Sequence, residues 1–195
     1  LRPLKAMEAH GVSFTVVPVT PCDNDATLDA FRRAIRENTR MFICTQASNV
    51  WGIRVPVERL AALAHVYGAE ICVDAAQSGG VVPIRAAEDN IDYLCCAGHK
   101  GLYGPMGTGL LITGRGEKLK SLIQGGTGTL ALQLEQPRDM PEYLESGTQN
   151  VPGILALGAG IDFVRARGED NLRQAEMRHV RRIHAAFSRM PHVKL

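Results

Sequence analysis

Two residues, Asp74 and Lys100, have the types and spacing from which chemistry can be built. An apolar run, Ile71 to Val73, ends in Asp74, and a second, Ile91 to Ala97, ends in Gly98, His99 and Lys100. Two strands that end this way deliver a carboxylate and an amine to one edge of a sheet, the edge at which open α/β sheets bind ligands. A lysine amine can form an imine with an aldehyde, and a carboxylate can hydrogen-bond a protonated ring nitrogen. Pyridoxal phosphate (PLP) catalysis needs both: the carboxylate keeps the ring cationic, while the lysine holds the cofactor and, once displaced, moves a proton. Taken singly, Lys100 would be a surface lysine and Asp74 a turn former. Their pairing gives them a role, and Gln77, three residues after Asp74, could reach the ring hydroxyl.

At these residues the sequence resembles the class V aminotransferase family of PLP fold type I, and within it the cysteine desulfurase and selenocysteine lyase-like branch. The resemblance rests on ASNVWG (Ala47 to Gly52), LAHVYGAEICVDAAQ (Leu63 to Gln77), AGHKGLYGPMGTGLL (Ala97 to Leu111), GGTGT (Gly125 to Thr129) and ESGTQN (Glu145 to Asn150), in the family's order. Several motifs in one order are far more specific than any single match.

The resemblance implies an α/β fold: a three-layer sandwich with a mostly parallel sheet, the PLP-dependent transferase large domain, plus the start of a small C-terminal domain. Residues 1–165 would be the central part of the large domain, and 166–195 the connecting helix and start of the small one. It implies that Lys100 carries the cofactor and Asp74 meets its ring nitrogen. Asn49 would lie close to the ring and the substrate carboxylate, Gln77 at the ring hydroxyl and His99 near the phosphate. Gly126, in a run of small residues whose N–H groups can form an anion nest, would add to the phosphate site. Thr148 would reach the phosphate of a neighbouring subunit, which implies a homodimer with composite sites. Ala97 stands where many desulfurases have serine, and Gln149 where proline is usual, so phosphate affinity would lean on His99, backbone groups and the partner chain.

The function implied is that of a PLP-dependent cysteine desulfurase: L-cysteine to L-alanine, with sulfur passing to a cysteine outside this chain and onward to a possible acceptor protein. An aminotransferase or a selenocysteine lyase could use the same site, and a folded, non-catalytic fragment or dimerisation module is the reading from another class. The family runs longer than this chain. It places a cofactor-stacking histidine upstream of these residues, and a sulfur-accepting cysteine and a carboxylate-binding arginine downstream. None of Cys22, Cys44, Cys72, Cys95 or Cys96 matches that cysteine's position.

The elements that must position these groups alternate between helix and strand. The opening residues read as the last turns of a helix stopped by Gly11, followed by a strand from Ser13 to Val19. Asp23 to Asp25 can cap a helix striped by Leu28, Phe31 and Ile35, and Thr39 to Thr45 is a buried strand. After ASNVWG, Pro56 opens a helix with Val57, Leu60, Ala61, Ala64 and Tyr67 on one face, ended by Gly68. Glu70 to Asp74 and Ile91 to Ala97 are strands around a turn-rich loop, and such alternation implies a mostly parallel sheet with right-handed crossovers. Gly101, Gly104, Pro105 and Gly107 make a tight connection into Gly109 to Thr113, expected to be antiparallel. A short helix is expected over Arg115 to Ile123, then a long glycine-rich loop, a helix from Gly153 to Arg167, and a last helix over about Asp170 to Arg189 with Leu172, Val180, Ile183 and Phe187 inward. His192 to Leu195 would begin a strand.

Composition narrows the class. With 195 residues the chain can bury a substantial core, and a hydrophobic content of 45% with 22% charged residues is ordinary for a soluble globular protein. A formal charge of +2 does not argue for nucleic acid. No apolar run is long enough to cross a bilayer and the opening residues lack a signal-peptide pattern, so a cytoplasmic protein is expected. Five cysteines, four of them in apolar runs and none in a CxxC spacing, imply neither a disulfide framework nor a metal site.

Overall fold

The computed structural model describes residues 1–130 and 132–193. Its helices are α1 (Arg2–Met7), α2 (Asn24–Ala34), α3 (Val57–Val66), α4 (Val151–Arg167) and α5 (Glu169–Phe187), and its strands are β1 (Met41–Thr45), β2 (Glu70–Asp74), β3 (Tyr93–Ala97) and β4 (Gly109–Thr113). The strands lie in the order β1-β2-β3-β4. β1, β2 and β3 are parallel, and β4 returns antiparallel to β3. The α/β class and the antiparallel fourth strand are as expected. No helix among the described residues is long and apolar enough to cross a membrane.

The register sorts the strand residues. Phe42, Ile71 and Val73 point to the side covered by α2 and α3, and their exposure is 5% or less. α3 supplies Leu60, Ala61 and Ala64, each 0% exposed, and α2 supplies Leu28 and Phe31, whose ring lies 5.3 Å from that of Phe42. Each of the buried valine, leucine, isoleucine and phenylalanine side chains contributes about 1.5–3 kcal/mol relative to exposure. Local signals set the helix ends. Asp23 accepts the Ala26 N–H at 2.9 Å as the N-cap of α2, with Arg32 and Arg33 in its last turn where the helix dipole favours cations. Pro56 is the residue before α3 rather than its first residue, one position earlier than expected.

The structure corrects three expectations. Ser13 to Val19 forms no strand: it joins no ladder among the described residues, Pro18 offers no N–H, and Val16 is 63% exposed. Arg115 to Ile123 holds only a 3₁₀ turn, Gly116–Lys118, because Leu122 (96% exposed) and Ile123 have no apolar surface to pack on, and so short a helix is not stable alone. α5 forms, but its stripe does not face inward. The helix touches α4 and buries none of its own residues, and Val180, Ile183 and Phe187 are exposed. His192 lies in a turn, and the rest of the strand expected at His192 to Leu195 falls partly outside the described residues.

Candidate active site

Asp74 is the last residue of β2 and Lys100 lies three residues beyond the end of β3, so both sit at the C-terminal edge of the parallel strands. Asn49 occupies the loop after β1 at the same edge. The side chains of Asn49, Asp74, Gln77, His99 and Lys100 are exposed, while Ala75, Ser78, Gly79, Gly80 and Gly98 between them are buried. Solvent-facing functional groups thus stand on a backbone that cannot drift.

Each turn is held by identifiable bonds. The Asp74 carbonyl accepts from Gln46 N at 2.9 Å and from Thr45 Oγ1 at 3.2 Å, so the end of β1 clamps the residue that carries the carboxylate. Asp74 Oδ1 accepts the Ala76 N–H at 2.9 Å, which orients the carboxylate and leaves Oδ2 available. Ala75 N donates to Cys95 O at 2.8 Å, extending the β2–β3 pairing into the turn. In the Asn49 loop, Ser48 Oγ accepts from Val50 N and Trp51 N, at 3.2 and 3.1 Å. In the lysine loop, Gly104 N donates to Gly98 O at 2.8 Å and Tyr103 N to Lys100 O at 3.0 Å, closing the chain around Lys100.

Helix α4 braces the lysine loop from outside. Leu157, 4% exposed, packs on Gly104, Gly160 backs onto the Leu102 and Tyr103 backbone, and the Tyr103 and Phe163 rings meet edge to face at 5.0 Å. The helix starts at an Asn150 cap, whose Oδ1 accepts Gly153 N at 3.1 Å. Gly126 and Thr148 are brought near each other by a 2.6 Å bond from Gly147 N to Gly126 O, and both are exposed. No hydrogen bond among the described residues ties them to the Asp74 and Lys100 turns. A cleft of about 500 Å³, lined by Thr113, Gly116, Arg138 and Tyr143 among others, opens elsewhere: Thr113 pairs with Tyr93 at the start of β3, the opposite edge of the sheet.

Sequence reasoning left several groups at this edge unassigned. Thr45 and Gln46 orient Asp74. Gln46 Oε1 and Ser78 Oγ are buried without a hydrogen-bond partner among the described residues. Cys95 is the register partner of Asp74 on the neighbouring strand and faces the same side. The neighbouring Cys72 pulls the Cys95 thiol down to about 7, whereas burial pushes Cys44 up to about 12. These residues could be located only once the strand register was known.

The chemistry of the donor set fits PLP. An exposed primary amine and an exposed carboxylate with one free oxygen stand on adjacent strand ends, and the turns between them are closed by backbone contacts rather than by side chains that would fill the space.

Comparison with known proteins agrees with the fold. The chain is 38% identical over 152 residues to a cysteine desulfurase of Gluconacetobacter diazotrophicus, covering 77% of this chain and 35% of the relative. It is 32% identical over 197 residues to a cysteine desulfurase of Pectobacterium atrosepticum, covering 96% and 47%. Among solved structures, the apo cysteine desulfurase of Thermococcus onnurineus superposes with a TM-score of 0.84 at 27% identity, over 96% of this chain and 48% of that one. The cysteine desulfurase CsdA of Escherichia coli superposes with a TM-score of 0.75 at 28% identity, over 87% and 43%. The chain therefore spans less than half the length of these relatives. Residues 1–195 match the family described as Aminotransferase class-V over the whole chain, and the chain belongs to that family.

Proposed function

We propose that this chain is the cofactor-binding part of a PLP-dependent cysteine desulfurase that converts L-cysteine to L-alanine. The observation that supports this most directly is the placement of Asp74 and Lys100, exposed on buried turns at the ends of two adjacent parallel strands, in a class V chain. When bound, PLP supplies an aldehyde for an amine and a cationic ring that withdraws electrons from the substrate Cα. Lys100 Nζ would hold the cofactor and, when free, would take the proton from the substrate Cα and return it on the product side. Asp74 Oδ2 keeps the ring nitrogen protonated while Oδ1 stays on the Ala76 N–H. His99 and the Gly126 N–H contribute to the phosphate site, Thr148 to that of a second copy, Gln77 to the ring hydroxyl, and Asn49 to the ring and substrate carboxylate. The C–S bond breaks, carbon leaves as alanine, and sulfur passes to the thiolate of an acceptor cysteine as a persulfide, so the transfer needs no external oxidant.

The same reading makes residues 1–165 the central part of the cofactor domain and 166–195 the connection toward a smaller one. α5, which buries no residue of its own, fits a helix leaving the first core. The cysteines are all unpaired, which fits a reducing, cytoplasmic setting. The test is to incubate the purified protein with PLP, reduce with borohydride and locate the phosphopyridoxyl group by peptide mass spectrometry. Labelling confined to Lys100, followed by alanine formation from L-cysteine without consumption of an α-keto acid, is the expected result. Labelling elsewhere, or dependence on an α-keto acid, would overturn the proposal.

A further inference from the structure

We propose that Gly101 and Gly80 are positioning residues: their backbone contact sets Lys100 relative to Asp74. The inference rests on the function proposed above. Gly79 and Gly80 lie five and six residues after Asp74 in the turn that follows it, and Gly101 immediately follows Lys100, so the contact joins the turn that Asp74 opens to the loop that carries Lys100. A Cβ at Gly101 would overlap the Gly79 carbonyl oxygen and lie 2.8 Å from Val81 Cγ2. A Cβ at Gly80 would overlap the Gly101 carbonyl oxygen and lie 2.7 Å from its carbon.

The two glycines are required for different reasons. Gly80 has φ +81, which disfavours any side chain. Gly101 has no such φ, so its backbone would accept alanine and only the lack of space excludes it. Glycine at 101 is therefore a matter of close approach between two loops.

The neighbours share the same construction. Gly79 would meet Cys96 Sγ at 3.3 Å, Gly104 would meet Leu157 Cδ1 at 2.7 Å, and Gly104 N is bonded to Gly98 O. The lysine loop is thus wedged between the Asp74 turn on one side and α4 on the other. Lys100 is a flexible side chain, and what a protein can fix is the position of its Cα. Backbone packed on backbone has no rotamers through which to relax, so the wedge defines that position more tightly than side-chain packing could. Adding one methyl at 101 forces the turns apart by roughly 1 Å, a displacement that can cost about 10²-fold in rate.

The experiment compares wild type, Gly101→Ala, Val81→Ala and Gly114→Ala as PLP-loaded protein. Gly114 is a control, since a Cβ there meets nothing within 4 Å and it lies at the opposite sheet edge. Turnover of L-cysteine is read together with the pH midpoint of the bound cofactor's visible absorbance, which reports the relation of Lys100 to Asp74 and is not moved by a general loss of stability. Gly101→Ala should lose about 10²-fold in kcat with little change in KM, and shift that midpoint. Gly114→Ala should match wild type in both. A folded Gly101→Ala protein with wild-type kcat and midpoint overturns the inference. Should Gly101→Ala fail to fold, Gly101→Ala combined with Val81→Ala decides when read against Val81→Ala alone, because losing Val81 Cγ2 leaves the added Cβ pressed on the Gly79 carbonyl. A shifted midpoint there supports the contact, and an unchanged one overturns it. Wild type that takes no PLP on Lys100 instead sinks the functional reading, and the positioning role with it.

Discussion

The Arg115 guanidinium, just past β4, lies 2.8 Å from the carboxylate of Asp92, just ahead of β3. A second guanidinium nitrogen reaches Glu70 at 2.7 Å, Asp92 also meets His65 Nε2 at 2.9 Å, and Asp92 accepts the Ile71 N–H at 2.8 Å. Asp92, its side chain 3% exposed, therefore ties α3, β2, β3 and the end of β4 together at the edge opposite the candidate site. Replacing it by alanine leaves the Ile71 N–H and one Arg115 guanidinium nitrogen without their acceptor, and should cost about 3 kcal/mol. Urea unfolding measures this directly. A loss under about 0.5 kcal/mol, the range of an ordinary surface substitution, would show that the network does not hold the sheet.

The same carboxylate sets an acid limit on stability. Burial raises its pKa, but the bonds to His65, Ile71 and Arg115 outweigh that effect and hold it below the ordinary value. Unfolding at low pH therefore takes up a proton, so the contribution of Asp92 is complete above its unfolded pKa of about 3.9 and declines as pH falls through the lower folded value. Between about pH 6 and pH 3 the stability gap between wild type and Asp92→Asn should narrow. A gap that stays constant or widens on acidification would contradict this sign.

At the other edge, Lys100→Ala should give no phosphopyridoxyl peptide and lower alanine formation by at least about 10²-fold, as expected for removal of a proton-transferring group. On the proposed function, Asp74→Ala should retain labelling at Lys100 but lose about 10²–10³-fold in kcat, because the ring nitrogen would lose its charged partner. Mass spectrometry and turnover separate the two roles. If Asp74→Ala abolished labelling and left unfolding unchanged, the carboxylate would be holding the cofactor rather than tuning it.

Cys95 gives a separate check on the β2–β3 register. Cys72 lies diagonally across the β2–β3 register from Cys95, and its influence outweighs burial and the nearby Asp74 to bring the Cys95 thiol to about 7. Its alkylation by iodoacetamide should reach half its maximal rate near that pH, while Cys44, raised to about 12 by burial, stays unreactive. Cys72→Ala should move the Cys95 midpoint upward, toward the ordinary thiol value of about 8.5. A midpoint that Cys72→Ala leaves in place would mean the two sulfurs do not meet.

Legibility in the sequence followed how local each determinant was. Asp74, Lys100 and the glycines after Lys100 lie within short runs, and β2, β3 and β4 form within one or two residues of the positions that their apolar runs suggested. Ser13 to Val19 has the composition of a strand, but a strand also needs a partner ladder, which composition does not reveal. The stripe on α5 has helical spacing, which specifies the helix and leaves open what it packs on. The Asp92 network was illegible because His65, Glu70, Asp92 and Arg115 are scattered along the chain and meet only through the register. The contact between Gly80 and Gly101 was half visible. A glycine directly after the lysine marks close approach, but nothing in the sequence names Gly79 and Gly80 as the other side.

Two glycines on α4, two residues apart, should respond to alanine with opposite signs. In a helix interior, Gly to Ala ordinarily stabilises by up to about 1 kcal/mol, because glycine loses more backbone freedom on folding. At Gly158 a Cβ meets nothing within 4 Å, so Gly158→Ala should show that gain. At Gly160 the Cβ would overlap the Leu102 carbonyl oxygen and lie 2.9 Å from Tyr103 C, and neither backbone atom can step aside alone. Gly160→Ala must push α4 away from the lysine loop, and the overpacking cost of about 1–3 kcal/mol should exceed the entropic gain. Since the loop it displaces carries Lys100, the yield of PLP labelling at that residue should fall together with the unfolding midpoint, while Gly158→Ala should leave labelling intact. If both substitutions proved stabilising, α4 would not approach the loop this closely, and the brace on Lys100 would have to come from the Asp74 turn alone.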